Sequence, residues 1–230
     1  MKRQIYDYSG FSLRKLNESR FSHLKLLGGW LIYFALYFIT ENLIPQSACH
    51  IIHSSLDDAI PFCEYFAVFY VGWYFFVGGS LLYTLLYNID GFKQIQVFIM
   101  ITQLLAMLCY IIYPSVQLLR PDEFTRRNLF TWIIGFIYSF DTPTGVCPSL
   151  HVAYSVGIAS AALKDKALPR LWKIAAVFFT IMVCLAVCFV KQHSVIDVFA
   201  AVPVCVIAEI IVRKLYCKKS NKETALEQHA

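Results

Sequence analysis

The sequence predicts an all-α, polytopic membrane protein: a six-helix transmembrane bundle with its N- and C-termini in the cytoplasm. Three observations predict it. Only 15% of the 230 residues are charged and 58% are hydrophobic, with a mean hydropathy of +0.58, whereas a soluble domain carries about a quarter charged residues. Apolar runs recur at about 28–45, 65–87, 95–113, 148–163, 171–190 and 195–215, against the ~20 residues that a helix needs to cross a bilayer. The basic residues, finally, are unevenly placed. With both termini and the second and fourth connections inside, all Lys and Arg except Arg120, Arg126, Arg127 and Lys191 fall on the cytoplasmic side, as the positive-inside rule requires.

Taken in order, residues 1–27 form a cytoplasmic segment. Leu13, Leu16, Leu24 and Leu27 recur at roughly helical spacing, with Arg14, Lys15, Arg20 and Lys25 between them. This pattern fits an amphipathic helix on the inner leaflet or a solvated lead-in. No small-residue cleavage site follows the first apolar run, which reads as an anchor that stays. The first outer loop holds Asp57, Asp58 and Glu64. It also holds Cys49 and Cys63, which an oxidising compartment would allow to pair. A short turn, Asn88–Lys93, joins the second and third spans.

The longest outer connection, 114–147, contains an apolar stretch, Asn128–Phe140, that is short for a crossing. It is expected to form a helix or re-entrant segment over the outer end of the bundle. The fourth span is also short. Ser149, Ala153, Gly157 and Ala161 recur every fourth residue along it, so one face can approach a neighbouring helix closely. The membrane domain covers 28–217, and a polar cytoplasmic tail covers 218–230. The net charge of +5 resides in segments that flank spans, so it marks topology and no nucleic-acid partner is expected. The eight cysteines show no metal spacing.

Three polar clusters fall at the outer side. His193 and Asp197 are four residues apart, on one face of a helix. A carboxylate that holds one imidazole nitrogen leaves the other free as nucleophile or base. A histidine merely satisfied by a nearby acid is the structural alternative, but an ionised carboxylate at the start of an apolar span is costly and usually functional. The second cluster is Pro148-Ser149-Leu150-His151. Ser149 fits an ordinary helix cap, and the amides of a helix start also suit phosphate oxygens. His151 would stand one turn in as a proton donor. The third cluster is Arg120-Pro121, a guanidinium suited to bidentate phosphate binding or to snorkelling at the interface.

An arginine, then PSxH, then HxxxD, in this order and at the outer ends of spans, resembles the type 2 phosphatidic acid phosphatase superfamily. Its relatives are the lipid phosphate phosphatases, the sphingolipid head-group phosphotransferases of the inositol-phosphorylceramide and sphingomyelin synthase type, and, more distantly, the vanadium haloperoxidases. The likeness covers roughly 100–215, and the runs DTP…PSLHVAYS and VKQHSVIDV look like a bacterial branch.

The resemblance implies His193 as a nucleophile that forms a phosphohistidine and Asp197 as its orienting partner. His151 would protonate the leaving oxygen and then activate water. Arg120 and the amides around Ser149 would hold the phosphate oxygens. Three positions depart from the family pattern. Tyr113 stands where it has a lysine, Ala186-Val187 where it has Ser-Arg, and Leu150 where it has the glycine of PSGH. Lys191, Arg126 and Arg127 are the candidates to supply the missing charge, with Lys191 two residues before His193 the nearest.

The expected function is therefore that of a lipid phosphate phosphatase at the cell membrane, with its site facing outward. Its substrate would be of the phosphatidate, phosphatidylglycerol phosphate or polyprenyl pyrophosphate type. No cofactor or metal is expected, because Asp122, Glu123, Asp141 and Asp197 are too dispersed for Mg²⁺. A lipid head-group phosphotransferase would share the first half-reaction. A non-catalytic lipid-handling protein is the alternative of another class, and loss of His151, His193 or Asp197 would have marked it.

Overall fold

The computed structural model describes residues 4–227 and is mostly helical. Its α-helices are α1 (Gly28–Leu43), α2 (Ser55–Ala59), α3 (Ala67–Tyr87), α4 (Ile89–Ile112), α5 (Leu129–Phe140), α6 (Leu150–Lys164), α7 (Arg170–Phe189) and α8 (Val195–Glu227). One two-stranded parallel pair, β1 (His50–Ile51) and β2 (Ser115–Val116), joins the loops that follow α1 and α4.

Five segments are long and apolar enough to cross a membrane: Ser22–Leu43, Glu64–Tyr87, Ile89–Ile112, Arg170–Phe189 and Val195–Tyr216. The fourth expected span is α6, whose 15 residues extend only ~22 Å at 1.5 Å per residue. It packs among α4, α7 and α8, and its first turn is buried from Leu150 through Val152–Ser155 apart from a partly covered His151. A helix so enclosed needs no lipid-length span of its own. The small-residue face has the consequence the spacing predicts. A Cβ placed on Gly157 would lie 2.4 Å from Cδ1 of Phe98 on α4, so only glycine permits this approach.

α1 lies at the periphery and is fastened to α4 through Gln96. That amide accepts a bond from Trp30 Nε1 (3.1 Å) and donates to the Leu26 carbonyl (3.2 Å). α5 has an internal capping box. Asn128 accepts from the amides of Phe130 and Thr131, and the Thr131 hydroxyl accepts from the Asn128 amide. Its Leu129, Trp132 and Phe136 remain exposed, while Ile134 faces the bundle.

Elsewhere the structure departs from expectation. Residues 11–27 are not one amphipathic helix but short 3-10 turns, Leu13–Lys15 and Ser22–Leu27. The polar groups of this segment are used in folding it back on the turn between α3 and α4. Tyr6 N donates to Leu86 O, Tyr8 Oη to Leu85 O, and Arg20 to Asp7 O. Phe21 and His23 are buried, while Leu13 is 77% exposed. The polar segment from 218 continues the helix of α8, which runs to Glu227. Residues 228–230, like Lys2 and Arg3, lie outside the described residues. Cys49 and Cys63 are both free thiols.

The α3–α4 turn and the α6–α7 turn share one end of the bundle, joined by Asn88 Nδ2 donating to Asp165 Oδ2 (3.0 Å). The loops after α1, α4 and α7 gather at the other end, where the polar clusters lie. Gly157→Val, which drives a branched side chain into Phe98, is expected to lower stability by about 1–3 kcal/mol. Thermal unfolding in detergent measures this.

Candidate functional site

The site is built where α6 and α8 begin. Their first turns are tied by a backbone bond, Ser149 N to Asp197 O (3.1 Å). The chain enters α6 through a cis Cys147–Pro148 bond. Tyr110 Oη donates to the Pro148 carbonyl (2.8 Å), and Ser115 Oγ accepts from the amides of Val146 and Cys147. The loop carrying PSLH is thus seated on α4 and β2 before α6 starts.

Asp197 is fully buried. Its Oδ2 lies 3.2 Å from His193 Nδ1 and accepts from Ser194 N at 2.9 Å. His193 Nε2 in turn lies 3.2 Å from His151 Nδ1. The carboxylate can only accept, so His193 Nδ1 carries the proton and its Nε2 presents a lone pair. His151 Nδ1 is then the donor in the second bond, and His151 Nε2, buried and without a protein partner, is left with the other lone pair. The His151 ring is held between Tyr70 (centroids 4.8 Å) and Trp73 (4.3 Å). Trp73 Nε1 also donates to the His151 carbonyl at 3.0 Å. The two aromatic rings and the Trp73 bond fix the position of the His151 ring.

Ser149 occupies the N-cap position of α6, but its hydroxyl makes no capping bond and has no partner. The serine therefore does not serve as the ordinary cap that the sequence allows. Arg120 lies over the Tyr138 ring (4.6 Å) and donates from Nη1 to Tyr138 O (3.2 Å) and from Nη2 to Gln192 Oε1 (2.6 Å). Its Nε has no partner. Tyr138 is itself anchored by its hydroxyl to Val190 O (2.7 Å). Arg120, Ser149, His151, His193 and Asp197 therefore come together at one end of the bundle.

Lys191 goes elsewhere. Its ammonium donates to the carbonyls of Asp57 (2.8 Å) and Ile60 (2.5 Å) at the end of α2. Its backbone sits at φ 53°, a conformation costing about 1–2 kcal/mol for a side chain with a Cβ. Arg126 pairs with Glu64 at 3.4 Å and is mostly exposed. Arg127 is exposed. At the positions that depart from the family pattern, Tyr113 stacks on His50 (4.1 Å), and Ala186 and Val187 are fully buried in the last turn of α7.

Three residues at the site were not singled out by sequence. Gln192, the residue before His193, accepts from Arg120 through its side-chain oxygen. Asp141 stands close to Arg120 and His193. Burial raises its carboxyl above the ordinary 3.8, and the fields of His193 and Arg120 draw it back. Tyr70 Oη donates to its Oδ2 at 3.4 Å. Burial likewise disfavours the Arg120 guanidinium, and Asp141 acts in its favour.

Asp57 is the third. It is buried, and its carboxylate accepts from Ser194 Oγ (2.6 Å), Val195 N (2.8 Å) and Ser54 N (2.8 Å). The loop between α1 and α3 therefore caps α8 and clamps the segment that carries His193. The local signal was present, since Ser54-x-x-Asp57 forms a capping box for α2. That motif reports only the local helix, and the bond to α8 spans more than a hundred residues of sequence.

Among the described residues, no three His, Cys, Asp or Glu are grouped so as to hold a metal ion. No protein-family model, curated protein or solved structure matches the chain.

Two outcomes are expected. Asp57→Ala orphans one buried donor, Ser194 Oγ, at about 1–3 kcal/mol, and two part-buried amides, so thermal unfolding should show a loss of several kcal/mol or no folded protein. Asp141 binds its proton more tightly in the fold than in the unfolded chain. Its contribution is fully present below pH 3.8 and is lost as pH rises through the raised value. Asp141→Asn should therefore melt with a flatter pH dependence than the native chain between pH 3.8 and the raised value.

Proposed function

We propose that the protein is a membrane lipid phosphatase that hydrolyses a lipid phosphomonoester or pyrophosphate through a phosphohistidine on His193. The observation that carries this reading is the chain Asp197 Oδ2, His193 Nδ1, His193 Nε2, His151 Nδ1, with both links at 3.2 Å. It presents one imidazole lone pair, oriented by a carboxylate, to a second imidazole. The order Arg120, PSLH, HSVID, similar to that of the type 2 phosphatidic acid phosphatases, gives the same roles.

In the first half-reaction the substrate's phosphoryl group enters between the two rings and replaces the bond between them. His193 Nε2 attacks phosphorus, and the bond to the lipid oxygen breaks. The electron pair leaves on that oxygen, which takes a proton from His151 in its imidazolium form. In the second half, His151, now neutral, takes a proton from water. The water oxygen attacks phosphorus, the P–N bond breaks, and its pair returns to Nε2. Arg120 and the α6 amides beside Ser149 hold the non-bridging oxygens, which is most of what phosphoryl transfer asks of a protein. Nothing in this route requires a cation or cofactor.

The reading includes a topology of six spans, with α6 as the short fourth one, both termini cytoplasmic and the site facing the extracellular or periplasmic side. Supporting it, the end that joins Asn88 to Asp165 carries Lys93, Lys164, Lys166, Arg170 and Lys173, as expected for a cytoplasmic face. The exposed Leu129, Trp132 and Phe136 of α5 suit the opposite interface.

One observation favours a second reading. With the Lys191 ammonium engaged by carbonyls, Arg120 is the cation at the phosphate position among the described residues. The same sparse charge occurs in the head-group phosphotransferases that the motif order resembles, in which a lipid hydroxyl replaces water as acceptor. Purified protein incubated with phosphatidate, phosphatidylglycerol phosphate and polyprenyl pyrophosphate, with and without lipid alcohols, separates the two. Free phosphate is expected as the main product; a new phosphorylated lipid with little free phosphate would establish transfer instead. His193→Ala should abolish both turnover and phosphoenzyme, and His151→Ala should slow turnover by about 10²–10⁴. Full activity in His193→Ala would remove the reading altogether.

A further inference from the structure

We infer that Gln192 is a further catalytic residue, a neutral donor that binds a phosphoryl oxygen together with Arg120. The inference rests on the phosphatase reading of the same site and adds a residue to it. The orientation of the Gln192 amide follows from its partner. Arg120 Nη2, 2.6 Å away, can only donate, so the atom facing it is Oε1 and the opposite atom is the NH₂ group.

That NH₂ is buried, in a residue only 3% exposed, and has no partner. Leaving such a group unsatisfied is costly, and native structures rarely do so without a functional reason. The neighbouring Arg120 Nε is orphaned in the same way, as are Ser149 Oγ and His151 Nε2. Three N–H or O–H donors without acceptors thus accompany the two histidines, and one tetrahedral group of oxygens supplies what they lack.

Position in the chain strengthens the point. Gln192 directly precedes His193, and the amides of both donate to one acceptor, Val187 O, each at 3.0 Å. The turn that aims the nucleophile therefore also fixes Gln192. Gln117 leaves a buried amide nitrogen unpaired too, with its oxygen accepting from Leu119 N at 2.7 Å. No bond ties Gln117 to Arg120 or to the histidines. A carboxamide in this place does part of the work of the basic side chains that Tyr113 and Val187 replace. It polarises a phosphoryl oxygen without adding charge.

Gln192→Glu is the decisive variant. It keeps an oxygen for Arg120 and so preserves the fold, but replaces the two N–H donors by a carboxylate oxygen facing the phosphate. Gln192→Met removes both functions at similar size. Full-length protein in detergent is assayed for orthovanadate binding by calorimetry, for turnover of a short-chain phosphatidate, and for acid-labile label on histidine.

The Glu variant is expected to melt at or above the native temperature while binding vanadate at least tenfold more weakly and turning over at least a hundredfold more slowly. The Met variant should fall between. If Gln192 only positions Arg120, the Glu variant will stay within threefold of native in binding and turnover, and the inference is overturned while the phosphohistidine reading stands. If the native protein itself neither binds vanadate nor acquires label on histidine, the reading fails and the inference falls with it.

Discussion

A carboxylate with no exposure, Asp197, sits where the apolar helix α8 starts, and much of this end of the bundle is arranged around it. An ionised carboxylate taken out of water loses several kcal/mol of solvation unless donors replace the water. Here the donors come from its own helix start. Ser194 N bonds to Oδ2, and the His193 ring leans on the same oxygen. The backbone carbonyl of Asp197 also receives Ser149 N, which fixes the start of α6 against the start of α8. The group that orients His193 thus also joins the two helices whose histidines meet. His151 could not lie 3.2 Å from His193 if these first turns were free to slide.

A second buried carboxylate extends the arrangement outward. Asp57 and Asp197 share Ser194 between them, one through its hydroxyl and the other through its backbone amide. Lys191 closes the clamp from the other side. Its left-handed backbone turns the chain after α7, and its ammonium bonds to the carbonyls that end α2. These carbonyls give the buried ammonium its partners without any substrate. The loop before α3 is therefore part of the site's scaffold, though none of its residues belongs to the three motifs.

How much of this was legible follows from the range of each interaction. The pairing of His193 with Asp197 is an i, i+4 relation, and the approach of α6 to α4 is written in Gly157; both are local and readable. The helix at Leu129–Phe140 was marked by Asn128 and an apolar run. The role of Asp57 was not legible, because its capping box with Ser54 satisfies every local expectation while its other bonds cross from one loop to another. The N-terminal segment misled for a related reason. Its leucine spacing suits an amphipathic helix, but Tyr6, Tyr8 and Arg20 find backbone partners in a folded-back arrangement, and tertiary bonds outweigh a few tenths of a kcal/mol per residue of propensity.

The sparse charge of the site has a physical logic of its own. Several cations gathered at the edge of an apolar bundle would each carry a desolvation cost and would repel one another whenever substrate is absent. The chain keeps one, Arg120, and supports it with the Tyr138 face and carbonyl, the Gln192 oxygen and the field of Asp141. The remaining donors are neutral: a carboxamide, a hydroxyl and the amides at a helix start. Such donors hold an anion by oriented dipoles that need no counter-ion in its absence, and in a low-dielectric setting dipoles already fixed in place do much of what a charge would do. The tie between the histidines fits the same economy of charge. Each ring satisfies the other's nitrogen, so the lone pair of His193 Nε2 is capped by a neutral partner and not by a second cation.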